Sequence, residues 1–188
     1  MTLVHEKLLA EAREGLPRAV ALRRRIHASP ELGLDLPATT AAVLESLEGL
    51  ELELTLSRKT SGVFARLRGA RRGPTLLLRA DMDALPMPED TGLEFASRNA
   101  GKMHACGHDA HTAMLVGAAH LLDRHRDALA GDVLFMFQPG EEGFAGARVM
   151  LDEGLIDPTS VSRAFALHID PRIPVGRVAS RAGALLAS

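Results

Sequence analysis

Hydrophobic residues recur at helical spacing in two stretches near the start of the chain. Residues 3–27 place apolar side chains three or four positions apart, which predicts an amphipathic helix. Residues 37–47 repeat this spacing and predict a second helix, after the segment Ser-Pro-Glu-Leu-Gly at 29–33 that ends the first. Pro17 fits either the first turn of a helix or a kink within one.

Short apolar runs further along the chain predict strands. Residues 50–56 alternate in polarity as a half-buried strand does. Leu76, Leu77 and Leu78 form the continuous apolar run that is expected of a strand buried on both faces. The predicted strands cover residues 50–56, 62–67, 75–79, 132–138 and 164–168.

Helices are predicted to alternate with these strands. One begins at Asp109 and another covers residues 144–153, while residues 80–107 contain Pro and Gly and show no regular period. The alternation predicts an α/β fold with a mixed, largely parallel sheet flanked by helices. A loop as long as residues 80–107 is usually functional or disordered.

Composition and charge exclude several classes of protein. The chain has 188 residues, enough for one domain, and its net charge of −2 gives no electrostatic footprint for nucleic acid. Trp and Tyr are absent, which removes the usual base-stacking side chains. No apolar run approaches the length of a membrane span, and the charged N-terminus lacks a signal-peptide core. The single cysteine permits no internal disulfide, which fits a reducing compartment. Taken together, these observations predict a cytoplasmic protein without nucleic-acid or membrane partners.

The densest cluster of chemically active side chains lies in residues 102–111, Lys-Met-His-Ala-Cys-Gly-His-Asp-Ala-His. This segment holds three of the eight histidines and the only cysteine. Thiolate and imidazole are the ligands that borderline metals such as zinc prefer. Because Gly107 permits a tight turn, Cys106 and His108 can point at one position. The segment therefore predicts a metal site.

Polar clusters occur at the ends of three predicted strands. They are Asp81 and Asp83 after the first, Glu141 and Glu142 after the second, and His168 at the third. In an open α/β sheet, sites form beyond the carboxyl ends of the strands. We therefore expect these side chains to meet the cysteine and histidine of the tight turn.

Several of these residues also have an ordinary structural explanation. Acidic pairs are favoured at helix starts, and a lone cysteine is most often a small buried side chain. For His104 and His111 we expect solvated loop or capping positions. For His120 and His125 we expect surface positions on a helix away from the cluster.

Three motifs occur in order along the chain. They are Asp-Met-Asp-Ala-Leu-Pro at 81–86, Gly-Lys-Met-His-Ala-Cys-Gly-His-Asp-Ala-His at 101–111 and Phe-Gln-Pro-Gly-Glu-Glu-Gly at 137–143. In this order they resemble the aminoacylase/carboxypeptidase metallopeptidase family, and most closely its N-acyl-amino-acid amidohydrolases, typified by hippurate and auxin-conjugate hydrolases. Ala-Leu-His at 166–168 and Ala-Ser-Arg-Ala-Gly at 179–183 match the same branch. The resemblance covers nearly the whole chain and implies a zinc-peptidase-like catalytic domain.

The resemblance implies four metal ligands, one catalytic base and two supporting carboxylates. The implied ligands are Cys106, His108, Glu142 and His168. Cys106 would bridge two ions, and the two histidines would complete one site while Glu142 binds the other ion. Glu141 is implied to be the general base, and Asp81 and Asp83 to hold the ligands in place. Where this chain has Asp81, other members of the wider family have a histidine ligand, and His108 is implied to take over that role.

By the same resemblance, the activity is hydrolysis of the amide bond of N-acyl amino acids, hippurate-like or related. Two divalent metal ions would activate the attacking water, and Zn²⁺, Mn²⁺, Co²⁺ and Ni²⁺ all suit these donors. Full-length relatives are implied to be homo-oligomers, with a lid or dimerisation domain and a further histidine ligand beyond Gly183. We therefore expect residues 1–188 to be the N-terminal part of the catalytic domain, weakly active or inactive alone.

Other functions remain open at the level of the sequence. Cys106 could be the nucleophile of a thiol hydrolase with a histidine as base, although this leaves the two glutamates and His168 without a role. The chain could be a non-catalytic metal-binding fragment, although an intact Glu141 speaks against that. Metal storage would call for repeated Cys/His tracts, which the sequence does not contain.

Overall fold

Five strands form one mixed sheet in the computed structural model, which describes residues 2–180 and 182–183 of the chain. The strands are β1 (Glu53–Leu56), β2 (Val63–Leu67), β3 (Thr75–Asp81), β4 (Val133–Gln138) and β5 (Val161–Ala166). The helices are α1 (Thr2–His27), α2 (Pro37–Leu47), α3 (His108–Asp123) and α4 (Gly146–Asp152), with 3₁₀ turns at Arg126–Ala128 and Pro158–Ser160. Arg181 of the closing motif lies outside the described residues.

The strand order β1-β2-β4-β3-β5 divides the sheet into an antiparallel and a parallel half. β2 is antiparallel to both β1 and β4, whereas β3 is parallel to both β4 and β5. A short turn is enough to join the antiparallel β1 and β2, but the parallel β3 and β4 need a crossover, which α3 provides. The predicted α/β class, a mixed sheet flanked by helices, is confirmed. The sheet is not largely parallel, however, because two of the four strand pairings in the described residues are antiparallel.

β4 is the centre of the hydrophobic core because both of its faces are buried. Successive side chains of a strand point to opposite faces of the sheet. Phe135 and Phe137 therefore join a cluster with α1, α2 and α3. Leu134 and Met136 point the other way and pack with Met150 of α4. Helices thus cover the sheet on both faces at β4.

β3 is less buried than the sequence predicts. Leu76 and Leu78 are only half-buried, because the neighbouring strand β5 is an edge strand that is exposed along most of its length. Phe165 of β5 is 55% exposed, although it lies beside Leu78 in register. The prediction of a strand buried on both faces is therefore wrong for β3 and correct for β4.

Most helix and strand bounds lie close to the predicted ones. α2 has the predicted bounds, while α1 continues through Pro17, which lies inside the helix and not in its first turn. α4 begins only at Gly146, because Ala145 before it has a left-handed backbone with φ of 51°. β5 ends at Ala166, so His168 follows the strand instead of ending it. Within the described residues, no helix combines the length and apolarity needed to cross a bilayer.

Phe135 and Phe165 form a matched pair for testing where the core lies, because both flank Leu78 in register. Phe135→Ala should lower the free energy of unfolding by about 3–5 kcal/mol, since Phe135 is fully buried. Phe165→Ala should change it by only about 0.5 kcal/mol. Urea unfolding monitored by circular dichroism measures both. Equal effects of the two substitutions would contradict this description of the core.

Candidate metal centre

A glycine turn sets the position of the cysteine and histidine that open α3. Gly107 has φ of 85°, a left-handed conformation that glycine adopts readily, and it directly precedes the helix. A Cβ atom at Gly107 would lie 2.2 Å from Cδ1 of Ile169. The backbone conformation and the close approach of Ile169 therefore both require glycine here.

Cys106 and His168 meet across this turn, although they come from distant parts of the chain. Cys106 Sγ lies 3.3 Å from His168 Nε2. The other ring nitrogen of His168 donates to the Ile169 carbonyl at 2.6 Å, which leaves Nε2 with a lone pair directed at the sulfur. Together with a ring nitrogen of His108, these atoms lie within 4.8 Å of one another. The predicted convergence of these three residues is therefore present in the fold.

His108 lies at the centre of a group of carboxylates. Its ring is buried, and neither ring nitrogen has a hydrogen-bond partner among the residues that the structure describes. Nε2 lies 3.7 Å from Asp81 Oδ2 and 3.9 Å from a carboxylate oxygen of both Glu141 and Glu142. A buried polar atom without a partner is uncommon in proteins and calls for an explanation. A borderline divalent cation fits this position, because thiol, imidazole and carboxylate are donors that such cations accept.

The charge of the carboxylates also acts on the proton affinity of His108. Burial by itself lowers the pKa of an imidazole, because it disfavours the charged form. The neighbouring carboxylates of Asp83 and Asp81 outweigh this effect and raise the pKa of His108 above its ordinary value. The pocket therefore favours positive charge at His108.

Asp83 holds the two glutamates in position through their backbone. Its Oδ1 accepts from the N–H of Glu141 at 2.9 Å, and its Oδ2 accepts from the N–H of Glu142 at 3.0 Å. Its Oδ1 also lies 3.5 Å from His108 Nδ1. Burial acts to raise the pKa of Asp83, but His108 and the two N–H groups lower it overall. Asp83 therefore remains a carboxylate that orients its neighbours.

Asp81 is held by a different set of partners. Its Oδ1 lies 2.6 Å from His111 Nδ1, and Arg79 Nη1 donates to its Oδ2 at 2.6 Å. Burial opposes the ionisation of Asp81, yet the bond to His111 and the charges of His108 and Arg79 lower its pKa to about 2. Asp81 is thus ionised throughout the neutral range and is already paired with two cationic or donor groups.

His104 and His111 are buried, so the expectation of solvated loop or capping positions is wrong for both. His111 lies on the face of α3 that packs toward β3, one turn after His108. Its spacing from His108 is the signal that could have indicated a shared face. The His104 carbonyl accepts from the Gly107 N–H at 3.3 Å. The ring nitrogens of His104 have no partner among the described residues, and burial lowers its pKa to about 4.

His120 and His125 lie outside the cluster, as expected, but each is half-buried and bonded. His120 contacts Arg18 and the Ser46 carbonyl, and His125 contacts Glu11. Both histidines therefore tie α3 and the segment after it to other helices and have no role at the carboxylate group.

The surroundings of Cys106 disfavour its thiolate form. Burial raises its pKa, and the negative charges of Glu142, Asp81 and Glu141 raise it further, to about 12. Because the thiolate is the reactive form, this environment opposes catalysis by the free thiol. A bound cation would reverse the effect, since metal ligation displaces the thiol proton.

Comparison with known proteins shows which proteins this chain is similar to. The sequence profile of peptidase family M20/M25/M40 matches residues 77–183. An N-acetylcysteine deacetylase of Bacillus subtilis is 44% identical over 91% of this chain, which corresponds to 45% of that protein. The IAA-amino acid hydrolase ILR1-like 2 of Arabidopsis thaliana is 43% identical over 98% of this chain and 42% of its own length.

A solved structure shares both the fold and the sequence. The YXEP protein of Bacillus subtilis, described as a dinuclear metal binding peptidase from the M20 family, superposes with a TM-score of 0.80 at 43% identity. The superposition covers 85% of this chain and 44% of that one. The chain therefore spans less than half the length of the relatives that it matches.

Gly107→Ala and Gly101→Ala form a matched pair, because both glycines have left-handed φ values of 85° and 74°. Each substitution carries a backbone penalty of about 1–2 kcal/mol. Only the first also forces Ile169 to move, since no atom of the described part of the chain lies within 4 Å of a Cβ at Gly101. Gly107→Ala should therefore weaken zinc binding, measured by chelator competition, and Gly101→Ala should not. Equal zinc affinity in both variants would contradict the role assigned to the turn.

The environment of Cys106 predicts slow alkylation of the folded, metal-free chain by iodoacetamide at neutral pH. The rate should be at least about tenfold below that of a free thiol of ordinary pKa. Mass spectrometry reports only this site, because the chain contains one cysteine. The same chain unfolded in guanidinium chloride should react at the rate of a free thiol, because unfolding separates Cys106 from the surrounding carboxylates. Fast alkylation of the folded chain would favour the thiol-hydrolase alternative.

Proposed function

Because this chain belongs to peptidase family M20/M25/M40, we propose that it is the N-terminal part of the catalytic domain of a metal-dependent amidohydrolase. The observation that carries the proposal is the buried His108 Nε2, which has no hydrogen-bond partner within residues 2–180 and 182–183 and is surrounded by carboxylates beside the pair of Cys106 and His168. A group of this composition has no obvious structural use. It suits a cation-dependent reaction.

Two sets of donors would hold the metal ions. Cys106, His108 and His168 form the first set, and three protein ligands with one open position are typical of a catalytic site. Cys106 and Glu142 form the second set, which is short of the usual number of ligands. Zn²⁺, Mn²⁺, Co²⁺ and Ni²⁺ all suit these donors. When bound, such ions lower the pKa of water and polarise an amide carbonyl.

Glu141 is the proposed general base. Its carboxylate is as close to His108 as that of Glu142, so distance does not separate the two glutamates. Solvent exposure separates them, because the Glu141 side chain is 40% exposed and the Glu142 side chain only 25%. The more exposed carboxylate is better placed to reach water and substrate. Asp83 restricts the motion of Glu141 through its backbone N–H.

The proton transfers follow from these positions. Glu141 takes a proton from the water that attacks the amide carbonyl carbon. As the carbon–nitrogen bond breaks, Glu141 gives this proton to the leaving amine, so that one carboxylate serves as base and then as acid. The products are a carboxylic acid and a free amino group. Asp83 keeps Glu141 and Glu142 at a fixed separation throughout.

N-acyl amino acids are the proposed substrates. The relatives named above act, by their names, on N-acetylcysteine and on IAA-amino acid compounds. N-acetylcysteine joins an acyl group to the amino group of an amino acid, which is the bond that this reaction cleaves. A free-thiol mechanism is less favourable, since the charges around Cys106 oppose thiolate formation.

Glu141→Gln and Glu142→Gln test the proposal as a matched pair of neighbouring, identical substitutions. The parent chain should hold one metal ion tightly and a second weakly, as measured by elemental analysis after graded dialysis. Glu141→Gln should keep both ions, because it retains the shape of the side chain, and should lower any residual hydrolysis of N-acetyl amino acids by about 10²–10⁴. Glu142→Gln should lose the weaker ion.

Two outcomes would count against the proposal. A parent chain without bound metal would remove its basis. An exchange of the two phenotypes between Glu141→Gln and Glu142→Gln would reverse the assigned roles. A third result, two tightly held ions with fast turnover by the 188-residue chain, would show that the second site has a ligand beyond Cys106 and Glu142.

A further inference from the structure

His111 is buried beside the candidate metal centre, yet the proposed reaction gives it no task. Both of its ring nitrogens have partners. Nδ1 lies 2.6 Å from Asp81 Oδ1, and Nε2 lies 3.0 Å from the backbone nitrogen of Ile169. His111 therefore connects strand β3 to the segment that carries His168.

The partners of His111 determine where its proton lies. The backbone N–H of Ile169 can only donate, so His111 Nε2 must provide the lone pair that accepts it. The proton of the neutral ring is then on Nδ1 and is donated to Asp81. Asp81 is itself held by Arg79 Nη1, and its carbonyl accepts from Thr112 Oγ1 at 2.9 Å. His111, Arg79 and Thr112 thus each donate to a different oxygen of Asp81.

The Ile169 backbone is held at both its N–H and its carbonyl group. His111 accepts from the N–H, and the ring of His168 donates from Nδ1 to the carbonyl. This second bond turns the other nitrogen of His168 toward Cys106 Sγ, 3.3 Å away. The hydrogen bond that His111 accepts therefore fixes the Ile169 backbone, and the Ile169 carbonyl in turn orients the His168 ring.

The segment around His168 has little packing of its own. It follows the exposed edge strand β5, and Leu167 is 62% exposed. Ile169 touches the glycine turn with its side chain, but that side chain is also partly exposed. Polar contacts to His111 are thus a large share of what holds His168 in position.

We propose that His111 is a positioning residue for the first metal site. The hydrogen bond from the Ile169 N–H to His111 Nε2 places His168 Nε2 against Cys106 and thereby sets the affinity for the first ion. This inference rests on the proposed function, because it concerns the same site. His111 itself does not bind the ion, since Ile169 occupies its Nε2 lone pair.

Substitution of His111 by Gln and by Asn separates the two contacts of the ring. Gln places a polar atom near the position of Nε2, so it can still accept from Ile169 while it loses Asp81. Asn is too short to reach Ile169 but can still donate to Asp81 from near the position of Nδ1. The proposal predicts that cobalt affinity stays near the parent value in His111→Gln and falls about 10–100-fold in His111→Asn.

Cobalt(II) serves as the probe because its absorption reports the ligands. The parent should show a thiolate-to-cobalt charge-transfer band from Cys106, with visible bands of a four-coordinate ion. His111→Asn should shift these bands at saturating cobalt, because His168 no longer aligns, and His111→Gln should preserve them. A general loss of stability would change melting temperature without this difference between the two variants.

His120→Asn provides the control for altering a bonded histidine of α3. His120 lies on the same helix and, like His111, has partners at both ring nitrogens, the Arg18 side chain and the Ser46 carbonyl. His120 is not among the proposed metal ligands. His120→Asn should therefore lower the melting temperature, because its contacts are lost, while cobalt affinity and the cobalt spectrum stay at the parent values.

The outcomes distinguish failure of this inference from failure of the proposed function. Equal cobalt affinities in His111→Gln and His111→Asn, with the parent band intact, would overturn the positioning role alone. If the parent binds no cobalt, or if Cys106→Ser retains the charge-transfer band, the metal site itself is wrong. A higher cobalt affinity in His111→Asn than in His111→Gln would assign the effect to the Asp81 contact instead of the Ile169 contact. That result would also overturn the inference.

Discussion

The concentration of negative charge around His108 is the constraint on which the rest of this region depends. Asp81, Asp83, Glu141 and Glu142 all place a carboxylate oxygen within 3.9 Å of one of its ring nitrogens. Carboxylates this close repel one another, and burial raises the energy of each charged form. Arg79, His111 and two backbone N–H groups offset part of that energy. A divalent cation would offset the remainder, which is why the site is best understood as a metal centre.

The sheet brings these groups together because β3 and β4 are parallel neighbours in register. Asp81 lies directly beside Gln138, so the segments that follow the two strands leave the sheet side by side. Asp83 can therefore reach the backbone of Glu141 and Glu142, which follow β4. α3 begins at the same edge, because it is the crossover between the two strands. The position of the donors is thus a direct consequence of one parallel pairing.

The sequence was sufficient to predict the elements that depend on local pattern. α2 has the predicted bounds, and the donors predicted to converge from the glycine turn, the strand ends and His168 do meet. Contacts that depend on the choice of packing face were missed. The burial of His111 follows from which side of α3 faces β3, a side that its spacing from His108 could have indicated. The exposure of β5 follows from its place at the sheet edge, which no short stretch of residues encodes.

Anomalous X-ray diffraction at the zinc edge, from crystals of this chain grown with zinc, measures whether Cys106, His108 and His168 hold a metal ion. A peak is expected at bonding distance, about 2.0–2.3 Å, from Cys106 Sγ and from a ring nitrogen of both His108 and His168. The Ile169 N–H should still donate to His111 in that structure. A zinc-saturated crystal with no peak among these three residues, or with zinc bound by His111 instead, would contradict this assignment of the metal site.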